Sequence, residues 1–378
     1  MIEHIEQMRQ LLLDWFRTTR RQLPWRQTYD PYHIWLSEIM LQQTQMERGV
    51  VYFNRWIKRF PDIEAVAAAR EQEILKYWEG LGYYARARNL HAAAKILVDR
   101  FAGTIPCDLE TLRSLPGIGP YTAAAIASIA CNQPVAVIDA NVLRVYARLF
   151  DIAGPVKSRQ TRRSIEELAR QILPGDQARQ FNQALMDFGG LLCTPKRPGC
   201  GHCPLNTLCL AVKRGTVAHR PVTQHGKRTI LIEMATGLLE SGGKVFIQQR
   251  LHDDIWGGLW EFPGGQLREG GEDPRDAVVR EYREETGFAV TVCSEITTVV
   301  HFYTRYKVVL HCYGVHLESG ERLQPAPVLT AAQDFRWLEP EKLVHYGFPA
   351  GHRKLLEHIA ENCPELLYDP CLKEELSS

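Results

Sequence analysis

The stretch Leu115-Pro-Gly-Ile-Gly-Pro-Tyr-Thr-Ala123, with Asp139 following in Val137-Ile-Asp-Ala-Asn141, decides how this chain is read. Pro116 fixes one backbone dihedral, Gly117 and Gly119 permit positive φ, and Pro120 suits the first turn of a helix, so the stretch predicts a tight hairpin opening into a helix. Such a hairpin turns backbone N–H groups outward. Free amides at a helix N-terminus take a phosphate without reading sequence, because donors and helix dipole point the same way. The helix predicted over Tyr121 to Cys131 stops at Asn132-Gln-Pro134, and apolar Val135 to Ile138 leads to Asp139 at the head of a periodic run, Val142, Leu143, Tyr146 and Leu149. At that place an aspartate is by default an N-cap.

The hairpin resembles the helix-hairpin-helix of the DNA glycosylase superfamily, whose members carry a catalytic Asp about twenty residues past it. Asp139 matches that spacing. Upstream, Ile5, Met8, Leu11, Leu12 and Phe16 recur at helical spacing, and a second helix is expected from about Tyr32 to Gln45. Glu38, Gln42 and Gln45 fall on one polar stripe of it, which reads either as a solvated face or as groups for contacting base edges. The string Ser37-Glu-Ile-Met-Leu-Gln-Gln-Thr-Gln45 closely resembles that of the MutY-type adenine DNA glycosylases, and the resemblance assigns Glu38 as catalytic acid and Gln42 and Gln43 to DNA. Gly80-Leu-Gly-Tyr-Tyr-Ala-Arg86 offers flat rings for packing in a core or for filling the gap left by an extruded base, and the resemblance makes Tyr83 and Gln43 the intercalating candidates. Superfamily members that also cut the strand need an amine where this chain has Tyr121. A monofunctional enzyme is therefore expected, with the Tyr121 hydroxyl orienting Asp139.

Cys193, Cys200, Cys203 and Cys209 follow the spacing Cys-x6-Cys-x2-Cys-x5-Cys and are metal ligands on that pattern. Four thiolates suit zinc. The spacing is also that of the [4Fe–4S] loop of endonuclease III and the MutY type, which the resemblance implies here. Cys107, Cys131, Cys293, Cys312, Cys363 and Cys371 show no such pattern and are expected to be ordinary thiols.

Charge divides the chain of 378 residues. Residues 1–225 hold 29 Lys and Arg against 20 Asp and Glu, whereas residues 226–378 hold 16 against 24, a net +9 followed by −8. A basic half suits a polyanion and an acidic half does not. No signal segment or membrane-spanning run is read, so a cytoplasmic protein is expected, nucleoid-associated if bacterial. The chain is thus read as multidomain: an all-α helix-hairpin-helix glycosylase domain over 1–212 that includes the cluster loop 193–209, a linker over 213–227, an α+β domain over 228–362 and a tail over 363–378.

In the second domain Thr229–Leu239 and Lys244–Arg250 read as strands joined at Ser241-Gly-Gly243, and Ile296–His301 and Tyr306–Val315 as a later pair. Between the pairs, Asp273 and Pro274 start a helix that Gly287 ends. That helix holds Arg280-Glu-Tyr-Arg-Glu-Glu-Thr-Gly-Phe288, which resembles the end of the Nudix box, with Pro263-Gly-Gly265 and Glu272 as its start. Six residues separate Gly265 from Glu272 where the box has five. Glu281, Glu284 and Glu285 share one helix face, either as a solvated acidic surface or as a Mg²⁺ site.

Taken together, the resemblance implies a monomeric base-excision enzyme that removes adenine mispaired with 8-oxoguanine or guanine in double-stranded DNA. Glu38 would donate a proton and later activate water, ionised Asp139 would stabilise the sugar cation, and Asn141 and Tyr121 would orient them. MutY-type enzymes read 8-oxoguanine with a Phe-Ser-His loop, where this chain has Tyr303-Thr-Arg305. The alternative is a bifunctional repair enzyme whose Nudix domain also hydrolyses oxidised nucleoside triphosphates.

Overall fold

The computed structural model describes residues 4–223, 229–303, 305–318 and 323–370. Apolar residues three and four apart place Leu12 and Phe16 of the helix Ile5–Thr19 in a common core with Val142, Val145 and Tyr146 of Ala140–Leu149. Ile165 of Arg159–Ile172 and Phe181, Leu185 and Phe188 of Ala178–Leu191 complete it. Each such side chain, once buried, contributes about 1.5–3 kcal/mol, so this face is what holds the four helices together. Cys209 is buried in the same core, and Cys193 and Cys203 pack against it. These helices belong to one of two compact units, Met1–Ala68 with Asn89–Gly226; the other is Ala69–Arg88 with Lys227–Ser378.

Asp30 caps the helix Pro31–Met40 by accepting from the Tyr32 and His33 amides at 2.8 and 3.2 Å. The sequence pattern carries this helix on to Gln45, but it ends at Met40. Gln43 has a φ of 59°, which no helix residue adopts, and the chain doubles back so closely that a Cβ on Gly49 would lie 2.5 Å from Leu41 Cδ2. Gln42 and Gln43 therefore stand on a turn and share no helix face with Glu38.

Asp108 caps the helix Leu109–Ser114 through the Thr111 amide at 2.8 Å; the hairpin follows, and the helix Pro120–Ala125 widens into a π turn over Ile126–Ala130. Gly117 has a φ of 74°, and its missing side chain makes room for Asn89, whose Cβ would be 2.7 Å away. Gly119 is extended instead, with φ −80° and ψ 176°, so positive φ is not its reason for being glycine. A Cβ there would meet nothing within 4 Å. Cys107 and Cys131, expected as ordinary thiols, are joined in a disulfide, because the two helices return the chain on itself and bring their Cα atoms to 6.1 Å. Cys293 is also disulfide-bonded, and Cys371 lies outside the described residues. The basic stretch after Lys213 stays on the helical unit: Arg220 pairs with Asp151 at 2.8 Å, and the Val156 amide donates to the Val222 carbonyl at 3.2 Å.

The second unit is built on a mixed sheet. Strands β1 (Ile230–Ser241), β2 (Lys244–Arg250), β3 (Trp260–Glu261), β4 (Gly264–Gln266), β5 (Val290–Tyr303), β6 (Tyr306–Leu317) and β7 (Ala332–Leu338) lie in the order β3-β2-β1-β6-β5, with β4 paired to β1 and β7 to β2. β1 runs parallel to β6 and antiparallel to β2. Alternation along the strands decides the packing: Leu238, Val245 and Ile247 face the helix Ala350–Asn362, and Leu239, Ala235 and Phe246 face Pro274–Thr286. The end of the chain is part of this unit, since Leu366 is buried and the Ser294 hydroxyl donates to the Pro370 carbonyl at 2.5 Å. So is the segment 69–88: Glu79 accepts from Arg353 Nε at 2.6 Å and from the Phe348 amide at 2.9 Å. No helix among the described residues is long and apolar enough to cross a membrane.

Candidate active site

Glu38 sits near the end of its helix among Ile34, Trp35 and Ile39 and is 7% exposed. Its Oε2 accepts from the Tyr121 hydroxyl at 2.7 Å, so the tyrosine orients Glu38 and not Asp139 as expected. Asp139 Oδ1 accepts from the Val142 amide at 2.6 Å and Oδ2 from Asn141 Nδ2 at 2.7 Å. The cap and the candidate catalytic carboxylate are thus one group: capping fixes the plane of the carboxylate, and Asn141 fixes its rotation.

Burial pushes the Glu38 carboxyl up to about 7, against the Tyr121 hydrogen bond, with the Asp139 charge adding to the rise and Arg26 opposing it. Burial raises Asp139 too, against its bonds from Val142 and Asn141. Tyr121 is driven well above its ordinary range by burial and by both carboxylates, so it is a neutral donor. A protonated acid and an ionised partner can therefore coexist here near neutral pH. Tyr121 and Asp139 open onto a cleft of about 860 Å³ whose walls carry Lys157, Arg162 and Arg220.

Residues that no motif marked hold this site. Asn141 Oδ1 accepts from Arg144 Nη2 at 2.7 Å, and Arg144 goes on to the Gly189 carbonyl at 2.7 Å and, through Nε, the Cys193 carbonyl at 2.8 Å. Gly189 has no side chain because a Cβ would stand 2.6 Å from that of Asn141. Arg148 donates to the Thr194 carbonyl at 2.7 Å and reaches Cys193 Sγ at 3.4 Å. Asn182 takes the Val137 amide at 3.0 Å and donates to the Val135 carbonyl at 2.8 Å, which pins the crossing that delivers Asp139. By helical spacing both arginines fall opposite the apolar stripe Val142, Val145, Tyr146 and Leu149, where a sequence reads as a solvated face, so no sequence signal marked them although both are buried.

Cys193, Cys200, Cys203 and Cys209 line one cavity, closed by Val145, Leu149, Phe188 and Leu205. Gly117 and Gly119 are exposed at the hairpin, and Gln43 is exposed on its turn. In the second unit Tyr83 has a φ of 51°. Gln43 and Tyr83 are two of seven described residues other than glycine with positive φ. Tyr303 packs on Tyr83 with ring centroids 5.4 Å apart, and the exposed Arg305 lies over the Tyr306 ring at 5.2 Å. Thr304 lies outside the described residues.

The three helix carboxylates do not stand together as an open cluster. Glu281 and Glu284 pair with Arg280 at 2.6 and 3.2 Å, Glu272 pairs with the same guanidinium at 2.7 Å, and Arg268 takes Glu284 at 2.8 Å. Glu285 turns inward to Gln248 Nε2 at 2.8 Å, where burial and neighbouring Glu261 raise its carboxyl. Glu272, Glu281, Glu284 and Glu285 thus form no group arranged to hold a metal ion.

A buried acid, a capped aspartate and an outward hairpin on helices define a base-excision DNA glycosylase, here joined to a Nudix domain. Residues 36–171 match the HhH-GPD superfamily of base excision DNA repair proteins, and residues 235–358 match the NUDIX domain. Over 418 residues the chain is 30% identical to an adenine DNA glycosylase of Rattus norvegicus, spanning 96% of this chain and 79% of that one. An adenine DNA glycosylase of Buchnera aphidicola subsp. Schizaphis graminum (strain Sg) is 35% identical over 67% of this chain and 74% of its own. A thermostable thymine-DNA glycosylase superposes with a TM-score of 0.52 at 30% identity, covering 56% of this chain and 98% of that structure. The chain belongs to the adenine DNA glycosylase family.

Proposed function

We propose that this enzyme hydrolyses the N-glycosidic bond of adenine mispaired with 8-oxoguanine or guanine in duplex DNA and leaves an abasic site. The observation that carries this reading is the pairing of Glu38, raised to about 7 and held by Tyr121, with Asp139, held by Asn141 and its own cap. The extruded adenine enters the helical unit, and Glu38 gives its proton to N7, so that the C1′–N9 electron pair leaves with the base. Asp139 stabilises the positive sugar. Glu38, now a carboxylate, takes a proton from the water that attacks C1′.

Gln43 and Tyr83 are the residues that intercalate where a base is extruded and Gln42 contacts DNA, while Gly117 and Gly119 offer amides to phosphate. The opposite base is read by Tyr303, Thr304 and Arg305. The ion pairs that occupy Glu272, Glu281 and Glu284 favour this recognition role for the Nudix domain over hydrolysis of nucleotides. Cys193, Cys200, Cys203 and Cys209 would hold a [4Fe–4S] cluster, which ties down the loop carrying Lys196 and Arg197. Thiolates spread around a cavity suit a cluster of several irons better than one ion. The enzyme works as a monomer in the compartment that holds the genome, the cytoplasm in a bacterium.

Strand breakage after alkali, on duplexes carrying A opposite 8-oxoguanine, G, C or T, tests this reading; equal cleavage of all four, or none, overturns it. Two further results are expected. Because the acid must be protonated, the single-turnover rate declines as pH rises through about 7, with that slope lost in Glu38→Gln, and it falls again at low pH where Asp139 takes up a proton. Borohydride traps no DNA adduct, since Tyr121 has no amine to form a Schiff base; a trapped wild-type adduct would refute monofunctional chemistry.

A further inference from the structure

The reading loop does not stand alone in its unit. Trp256, on the turn between β2 and β3, meets Tyr303 edge to face, with centroids 5.8 Å apart and planes at 68°. Tyr83 meets the same ring from another side at 5.4 Å and 35°. Each outer ring is backed by a guanidinium. Arg86 lies 5.6 Å from the centre of Tyr83 and is held by the Leu81 and Gly82 carbonyls at 3.1 and 3.0 Å. Arg250 lies 5.6 Å from Trp256 and is held by buried Glu261 at 2.6 Å. The Trp256 turn is itself tied down, since Arg88 donates to the Gly257 carbonyl.

We propose that Trp256 is a specificity-determining positioning residue, closing with Tyr83 a three-ring clamp that sets the angle at which Tyr303 meets the base opposite adenine. The inference rests on the reading of Tyr303 as a base-contacting residue. Tyr303 is half-exposed at the end of β5, and Tyr83 and Trp256 are the rings that meet it. An edge-to-face partner restricts rotation about its side-chain torsions, because the positive ring edge seeks the negative face. A ring already held at its stacking angle loses less freedom on binding, so the gain appears as discrimination between bases that stack differently.

The test measures dissociation constants and single-turnover adenine release on A:8-oxoguanine and A:G duplexes for wild type, Trp256→Ala, Trp256→Phe, Tyr303→Ala and the Trp256→Ala, Tyr303→Ala double variant. Trp256→Ala should reduce the preference for A:8-oxoguanine about tenfold, equivalent to about 1.4 kcal/mol. Trp256→Phe should recover most of it. The double variant should be no worse than Tyr303→Ala, since Trp256 acts through that ring. If Tyr303→Ala loses the preference and Trp256→Ala keeps it, the clamp is refuted and base reading by Tyr303 survives. A Tyr303→Ala variant with its preference intact overturns the base-reading assignment and the clamp with it. Equal losses on both duplexes with a lowered Tm would reduce Trp256 to a packing residue and also overturn the proposal.

Discussion

Asp139→Asn and Glu38→Gln each lower the single-turnover rate of adenine release about 100- to 1000-fold, the cost of removing one preorganised electrostatic group, while mispair binding persists. Both changes keep shape. In Asp139→Asn the amide oxygen still accepts from Val142, so the helix start survives, but the charge facing the sugar cation is gone. In Glu38→Gln the bond from Tyr121 survives and only the transferable proton is lost. Because the two groups act on one transition state, the double variant is expected to be far from additive. Rapid-quench measurement decides it: a rate within about threefold of wild type in either variant is well short of the expected loss and would remove that residue from the chemistry.

Cys200→Ser is expected to destabilise the helical unit by more than about 4 kcal/mol, the range reached when a structural metal site is lost. Much of a typical domain's stability, about 5–15 kcal/mol, would disappear with it. The cavity of the four cysteines is bounded by Val145, Leu149 and Phe188 of the main core, so an unfilled cavity loosens packing well beyond the loop. Damage also travels toward the chemistry, because the Cys193 carbonyl holds Arg144, Arg144 holds Asn141 and Asn141 holds Asp139. Wild-type protein should be yellow-brown, with about four irons and matching sulfide per chain. Colourless wild-type protein carrying one zinc, or a Cys200→Ser variant with wild-type Tm, contradicts the assignment.

Short-range chemistry was legible in the chain. Pro120 and the caps Asp139 and Asp273 act through neighbours two or three residues away, so their local roles follow from composition and spacing. Helix periodicity misled at Gln42 and Gln45, because a polar stripe continues on paper past a turn that the positive φ of Gln43 helps create. Gly119 misled in the other direction: glycine can mark open space as well as an unusual dihedral, and only surroundings tell the two apart.

The sequence by itself determined the helical and sheet-containing halves, the two carboxylates, the four-cysteine spacing and the absence of an amine at Tyr121. What only the tertiary structure decided is who holds whom. Tyr121 reaches Glu38 across 83 positions of chain, Arg144 joins Asn141 to Cys193, Asn182 pins Val137, and Cys107 closes on Cys131. A carboxylate's pKa is set by how much water its surroundings exclude and which donors remain within reach. Neither quantity is local in sequence: Gly189, 48 residues from Asn141, comes beside it only when helices pack, and through Asn141 that packing reaches Asp139.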